Sequence, residues 1–470
     1  MRSWIVVCGA ALLSLTTAVH AEPGPVPSTA DLAEGRALLR ELVDLDTTHA
    51  MGTTRAAHAL KAHFLAAGFA PADVTFIAPA EHPNSGNLIV RYRGKAATPA
   101  VLFLGHLDVV AANPEDWTVD PFHLIERDGW FYGRGTADMK DGDAALAAAL
   151  LRLHREGWQP DHDVIAAFTA DEEAGGDANG PAFLLKAHRA LIDAAVAYNL
   201  DGGGGGLDHG RRTFYDIGTS EKTYVTYTLE TTAPGGHGSL PGPDNPIYRL
   251  ARALGRLEAY SFPVMTTATT RAYFSAMADL EPSEVSADLR AVAAVPPDLA
   301  AAARLSTSAF INAQLHTTCV ATLLSGGHAE NALPQRARAT VQCRMMPGDS
   351  ARNVLNTLTE VIAEPAISIT QDAAPIVSPE SVAGPAVLDR VTRVVHSMWP
   401  GIALVPSMAT GFSDDRQTRN AGIPSYDVSG LWMENGENRA HGRDERIGVR
   451  EFDESVEYVY RLVREMGITR

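Results

Sequence analysis

The sequence predicts an α/β protein. It has a mixed, largely parallel sheet flanked by helices, and a smaller α/β sandwich is inserted into it. Three observations lead there. Apolar runs at 101–104, 164–169 and 195–200 are continuous rather than alternating, and helical patterns separate them, as expected of buried parallel strands. Each run ends in a polar or acidic segment: Gly105-His106-Leu107-Asp108, Asp171-Glu172-Glu173 and Asn199-Leu200-Asp201. Such segments occupy about 30–218 and return near His441, so the strand-rich stretch between them reads as an insertion.

Taken in order, the chain starts with Arg2 and an apolar stretch from Trp4 to Val19, too short to span a bilayer comfortably. Val19-His20-Ala21 offers small-residue cleavage, so residues 1–21 read as a signal peptide and the mature chain as periplasmic or secreted, with no membrane partner after processing. A retained signal-anchor helix is the alternative. The principal domain then occupies 22–218, with an Ala/Leu helix from about Asp143 to His154. The inserted unit, 219–346, has a half-buried strand over 223–231, a helix over 246–260 and an Ala-rich helix over 289–303 interrupted at Pro296-Pro297. It ends in paired strands at 319–325 and 337–345, and it reads as a lid or as the contact of a homodimer. The principal domain resumes over 347–470, with a last helix from about Arg450 to Met466.

Cys319 and Cys343, the two cysteines left after cleavage, flank the hairpin centred on Asn331; they are either a cross-strand disulfide or two buried thiols. A formal net charge of −17 argues against a nucleic-acid partner, which would want basic stripes. The glycine run 202–206 lacks the Gly-Lys-Ser/Thr ending of a phosphate loop.

The polar segments hold the chemistry. Ligands in open α/β sheets bind beyond the carboxyl ends of the strands, where three of these segments fall. Asp138, in Thr136-Ala137-Asp138-Met139-Lys140, sits at a helix start near the same edge. Taken singly, each residue has a plainer role: His106 a core histidine, Asp138 an N-cap, Asp108 and Asp201 turn residues, His441 a loop histidine. Together, two histidines and several carboxylates suit two zinc ions that share a bridging carboxylate.

These motifs resemble the metallopeptidase family of aminoacylase, carboxypeptidase G, succinyl-diaminopimelate desuccinylase and carnosinase-type dipeptidases. His106-Leu107-Asp108 is similar to its His-x-Asp motif, and 132–140 to its Gly-Arg-Gly-x-x-Asp-Met-Lys segment. Glu172-Glu173 is similar to its Glu-Glu pair, and His441-Gly442-Arg443-Asp444-Glu445 to its His-Gly-x-x-Glu segment. The resemblance implies a zinc exopeptidase-like sheet with a lid, and two zinc ions per chain bridged by Asp138. His106 and Asp201 would complete one ion, Glu173 and His441 the other. Glu172 would be the general base, and Asp108 would orient His106. His237, in a Gly-His-x-Ser segment of the lid, would stabilise the oxyanion, often across a dimer. Asn331, Arg344, Gly411 and Ser413 would contact substrate, Arg344 as a carboxylate partner. Asp at position 201 points to a peptidase. The implied substrate is a small peptide, cleaved by a dipeptidase or carboxypeptidase. The alternatives are an N-acyl amino acid, cleaved by an acylase, and a non-catalytic binding protein on the same fold.

Overall fold

In the computed structural model, residues 24–96, 99–281, 283–434 and 436–469 are described. The signal-peptide segment 1–21 lies outside them. Ala100–His106 is buried along its whole length and runs parallel between Val164–Thr169 and Ala194–Asn199; Ser425–Asp427 extends this parallel block. Antiparallel strands flank it, Val74–Ile77 and Asn87–Tyr92 on one side and Gly204–Asp208 and Arg211–Glu221 on the other. Ala403–Ala409 pairs parallel with Arg211–Glu221, and Trp432–Glu434 with Gly204–Asp208.

The continuous apolar runs have a simple cause. Successive side chains point to opposite faces of a strand, and both faces are covered. Val101 and Phe103 join a core with Leu146 and Leu150 of Lys140–Arg155 and with Phe452 and Val459 of Val449–Met466. Leu102 and Leu104 pack on the other face with Leu184 of Gly180–Ala187.

The second sheet is antiparallel, in the order Thr318–Gly326, Arg336–Met345, Thr223–Thr232, Ser368–Gln371. One face is apolar: Val225, Tyr227, Val341 and Cys343 pack under Leu250 and Leu257 of Pro246–Glu258. Cys319 and Cys343 are direct cross-strand partners and form a disulfide.

Two expectations about this unit need correction. Its expected end at 346 is too early. Ala351–Ile362 buries Val354, Leu358 and Ile362 in the same core, and Ser368–Gln371 pairs along Thr223–Thr232. Pro347-Gly348 is thus a turn inside the unit rather than a boundary. Nor does all of 219–346 belong to one sandwich. Helices Ala268–Leu280, Ser283–Ala293, Leu299–Leu305 and Ala309–Leu315 form a separate core that includes Val405 of the large sheet and packs against Phe214. The Ala-rich stretch splits into two helices at its prolines, which cannot continue a helix, and the Asp298 side chain accepts from the Ala301 N–H at 2.8 Å to cap the second.

Candidate metal centre

The carboxyl edge of the parallel strands gathers the polar segments. His106 is the last residue of its strand, Glu173 follows Val164–Thr169, and Asp201 follows Ala194–Asn199. Asp138 precedes the Lys140–Arg155 helix, and His441 lies in the loop between Trp432–Glu434 and Arg446–Gly448. His106 Nε2 is 3.2 Å from Asp138 Oδ1 and 3.5 Å from Asp201 Oδ1. His441 Nε2 is 3.2 Å from Asp138 Oδ2 and 3.0 Å from Glu173. His106, Asp138 and Asp201 form one group with ligand atoms within 4.8 Å of one another; Asp138, Glu173 and His441 form a second. Asp138 belongs to both, one oxygen toward each imidazole.

Electrostatics make this cluster costly without cations. Side-chain hydrogen bonds from the His441 ring to Asp138 and Glu173 push it up to about 10. Burial opposes charge on His106, but Asp138 and Asp201 outweigh it and raise that ring well above its ordinary range. Divalent cations are the natural partners of such a cluster, and metal binding to histidine and carboxylate ligands displaces their protons. Imidazole nitrogens with carboxylate oxygens are donors that suit zinc. Glu172 lies beside the cluster, 5% exposed, with one carboxylate oxygen that has no partner among the described residues. Burial first, then the charges of Asp201, Asp414 and Glu173, push its carboxyl well above the ordinary range. An isolated buried carboxylate of this kind is suited to exchange a proton with a bound water.

A second layer fixes these groups, and one part of it differs from expectation. His106 Nδ1 donates to the main-chain carbonyl of Asp108 at 3.0 Å, while the Asp108 carboxylate is 3.7 Å away. The orienting atom is therefore the Asp108 carbonyl, which fixes the ring with Nε2 directed at Asp138. The carboxylate is otherwise engaged, accepting the backbone N–H groups of Glu172 and Glu173 at 3.2 and 3.1 Å. It anchors the turn that presents both glutamates.

Glu445 is a functional residue that sequence reasoning left without a role. It accepts from the Ala137 and Asp138 N–H groups at 2.8 and 3.1 Å and pairs with Arg134 at 2.5 Å. Arg134 also donates to the Gly442 carbonyl, beside His441, at 2.9 Å. This buried pair clamps both the Asp138 turn and the His441 loop. Glu445→Ala strands a buried guanidinium and is expected to destabilise the protein by about 3–5 kcal/mol. Urea unfolding measures this, and a loss under about 1 kcal/mol contradicts the clamp.

The remaining candidates are spread more widely. His237, on the short strand Gly236–His237 paired with Ala332–Leu333, is exposed. Its Nδ1 accepts from the Ser239 N–H at 3.2 Å, so the neutral ring holds its proton on Nε2. The Asn331 carbonyl accepts from the Gly238 N–H at 2.7 Å. Among the described residues, no hydrogen bond or ion pair joins either side chain to the metal cluster. Arg344 sits over the rings of Tyr224 and Phe412, at 5.5 and 5.6 Å from their centroids. Gly411 is exposed, with open space where a Cβ would stand. Ser413 departs from its expected substrate contact. Its N–H and hydroxyl both donate to buried Glu221, at 2.7 and 3.3 Å, and the hydroxyl accepts from the Asp415 N–H. Its donors brace the loop.

A model of peptidase family M20/M25/M40 matches residues 102–465. N-fatty-acyl-amino acid synthase/hydrolase PM20D1 of Xenopus tropicalis is 29% identical over 376 residues, which span 77% of this chain and 72% of the relative. Probable carboxypeptidase S-like 2 of Dictyostelium discoideum is 26% identical over 399 residues, 80% of this chain and 74% of the relative. The fold is similar to that of the M20 family metallo-carboxypeptidase Sso-CP2 of Sulfolobus solfataricus, with a TM-score of 0.68 at 17% identity, covering 92% of this chain and 99% of the other.

Proposed function

Because the chain belongs to peptidase family M20/M25/M40, whose members are metal-dependent hydrolases of peptide and amide bonds, we propose that it is an exported dinuclear zinc exopeptidase acting on small peptides. The observation behind this reading is Asp138, whose two oxygens face two separate imidazoles, His106 and His441. In this reading Asp138 would be shared by two ions, with His106 and Asp201 holding one and Glu173 and His441 the other. Metal ions held by these residues would supply Lewis-acid chemistry, activating water and polarising a carbonyl. Glu172 would take a proton from the attacking water and deliver it to the leaving amine. Arg344 receives the substrate carboxylate, and His237 donates from Nε2 to the developing oxyanion.

A second reading is release of an amino acid from an N-acyl amino acid. Similarity to the Xenopus N-fatty-acyl-amino acid synthase/hydrolase favours it. Purified, zinc-loaded protein incubated with dipeptides and with N-acyl amino acids, and products read by mass, separates the two. Hydrolysis of neither class would sink both.

Export is supported by the apolar segment after Arg2 and by the Cys319–Cys343 disulfide, which suits an oxidising compartment. No helix among the described residues is long and apolar enough to cross a membrane. A homodimer through the small sheet is supported by its outermost strand, Thr318–Gly326, which exposes Val320, Leu323 and Leu324.

His237→Ala is expected to lower turnover roughly 10²–10³-fold with both metals kept, the usual loss for one oxyanion donor. If the donor comes from a partner subunit, mixing His237→Ala chains with Glu172→Gln chains restores activity, because a mixed dimer pairs one intact Glu172 with an intact His237. Subunit exchange verified by mass, with no recovered activity, excludes donation across the dimer.

A further inference from the structure

A cavity of about 690 Å³ is walled by helices Pro385–Met398 and Val449–Met466 and by the last turn of Lys140–Arg155. Arg152, on its wall, lies twelve residues along that last helix from Lys140, about 18 Å at 1.5 Å per residue. The metal centre is at the other end of the helix, so the two sites are separate.

The walls carry four arginines, Arg152, Arg393, Arg461 and Arg464, against two carboxylates, Glu457 and Glu465. This is a local excess of two positive charges in a chain whose formal net charge is −17. The acceptors are shared. Glu457 lies 2.8 Å from both Arg152 and Arg461. Glu465 takes Arg393 at 2.8 Å and lies 3.8 Å from Arg390, whose buried Nε has no hydrogen-bond partner among the described residues. Arg152 has a further carboxylate outside the cavity, Glu156 at 3.0 Å. Arg464 is exposed; it donates from Nη1 to the Tyr460 hydroxyl at 3.0 Å and forms no ion pair among the described residues.

Several of these groups are fixed before any ligand arrives, which keeps the entropic cost of binding low. The Arg152 guanidinium carbon is 3.7 Å from the Tyr460 ring centroid, and the Tyr460 hydroxyl donates to Glu156 at 2.7 Å. Arg461 donates to the Ser397 carbonyl and hydroxyl at 2.9 and 3.2 Å. An excess of two charges selects among anions. One carboxylate offsets half of it, whereas a phosphate monoester carries about −1.5 to −2 at pH 7 and offers three strong acceptor oxygens. Planar guanidinium forks match those oxygens in pairs.

We propose that this cavity is a binding site for a phosphate monoester. The exposed Arg393 and Arg464 receive the phosphate oxygens, and Val394 and Ile468 wall the organic part.

The test is calorimetry with glycerol 3-phosphate on zinc-loaded wild type, Arg393→Ala, Arg464→Glu and Asp138→Ala. Wild type is expected to bind the probe. Arg393→Ala should weaken binding roughly 10- to 100-fold, the usual cost of a hydrogen bond to a charged group. Arg464→Glu reverses one charge and should remove binding. Asp138→Ala, expected to lose its metals, should keep it, which separates this cavity from phosphate held by zinc. Vesicles of phosphatidic acid in phosphatidylcholine present the same monoester on a lipid. Cosedimentation with them that Arg464→Glu removes, without binding of free glycerol 3-phosphate, upholds the site and makes its ligand a headgroup. Binding of either probe that survives Arg464→Glu overturns the proposal, as does a wild type that binds neither, or binding that Asp138→Ala abolishes. Should Arg464→Glu fail to fold, Arg464→Gln takes its place, with a loss of at least about 10-fold expected.

Discussion

Glu172→Gln is expected to keep fold and metal content but lose roughly 10²–10⁴ in turnover, the range for removal of a general base. The amide keeps the shape of the carboxyl but cannot take a proton from water. The position leaves little room for a substitute. One Glu172 oxygen is buried without a partner among the described residues, whereas Asp108 is held by two backbone N–H groups and Asp414 by Asn179 and Thr169. Zinc content and turnover should be measured on the same preparation. Near-normal turnover with full metal would remove Glu172 from the mechanism, while metal loss would make it a ligand instead.

Asp138→Ala is expected to abolish activity through metal loss. Its two oxygens are each 3.2 Å from a different imidazole, so one substitution takes a donor from both groups. Two divalent cations held in these adjoining groups would repel each other, and the charge of Asp138 would offset that repulsion. Elemental analysis after dialysis should show clearly fewer than two metals per chain, and added zinc should not restore wild-type turnover. Two metals retained at wild-type affinity would contradict the bridge. Asp138→Asn separates charge from shape: it keeps one oxygen and should hold at most one ion firmly.

The sequence by itself determined the central sheet and the residue types at its edge. Continuous apolar runs at 101–104, 164–169 and 195–200 have one economical explanation, strands buried on both faces, and the segments that leave such strands lie at one edge. That places His106, Glu172, Glu173 and Asp201 together before any coordinate is seen. Asp138 follows from its helix start near the same edge, and the motif resemblance supplied its bridging role and that of His441, which lies in a loop that no periodicity predicts.

Only the tertiary structure decided how these groups divide. A sequence states that Asp138 is near a helix start; it does not state that its two oxygens face different histidines. Asp108 makes the same point. Its spacing from His106 predicts contact, but whether carbonyl or carboxylate orients the ring depends on the backbone donors of Glu172 and Glu173, 64 and 65 residues away. Glu445 clamps Ala137 and Asp138 across 308 and 307 residues, and Ser413 is turned to Glu221 across 192. The same limit hid the extent of the small unit, since Ser368–Gln371 is too short to show a pattern and gains its strand form by pairing with Thr223–Thr232. Local patterns follow from the burial of one's own neighbours in sequence. Hydrogen-bond partners for polar groups come from wherever the fold leaves a buried donor or acceptor unsatisfied, and only the folded chain decides where that is.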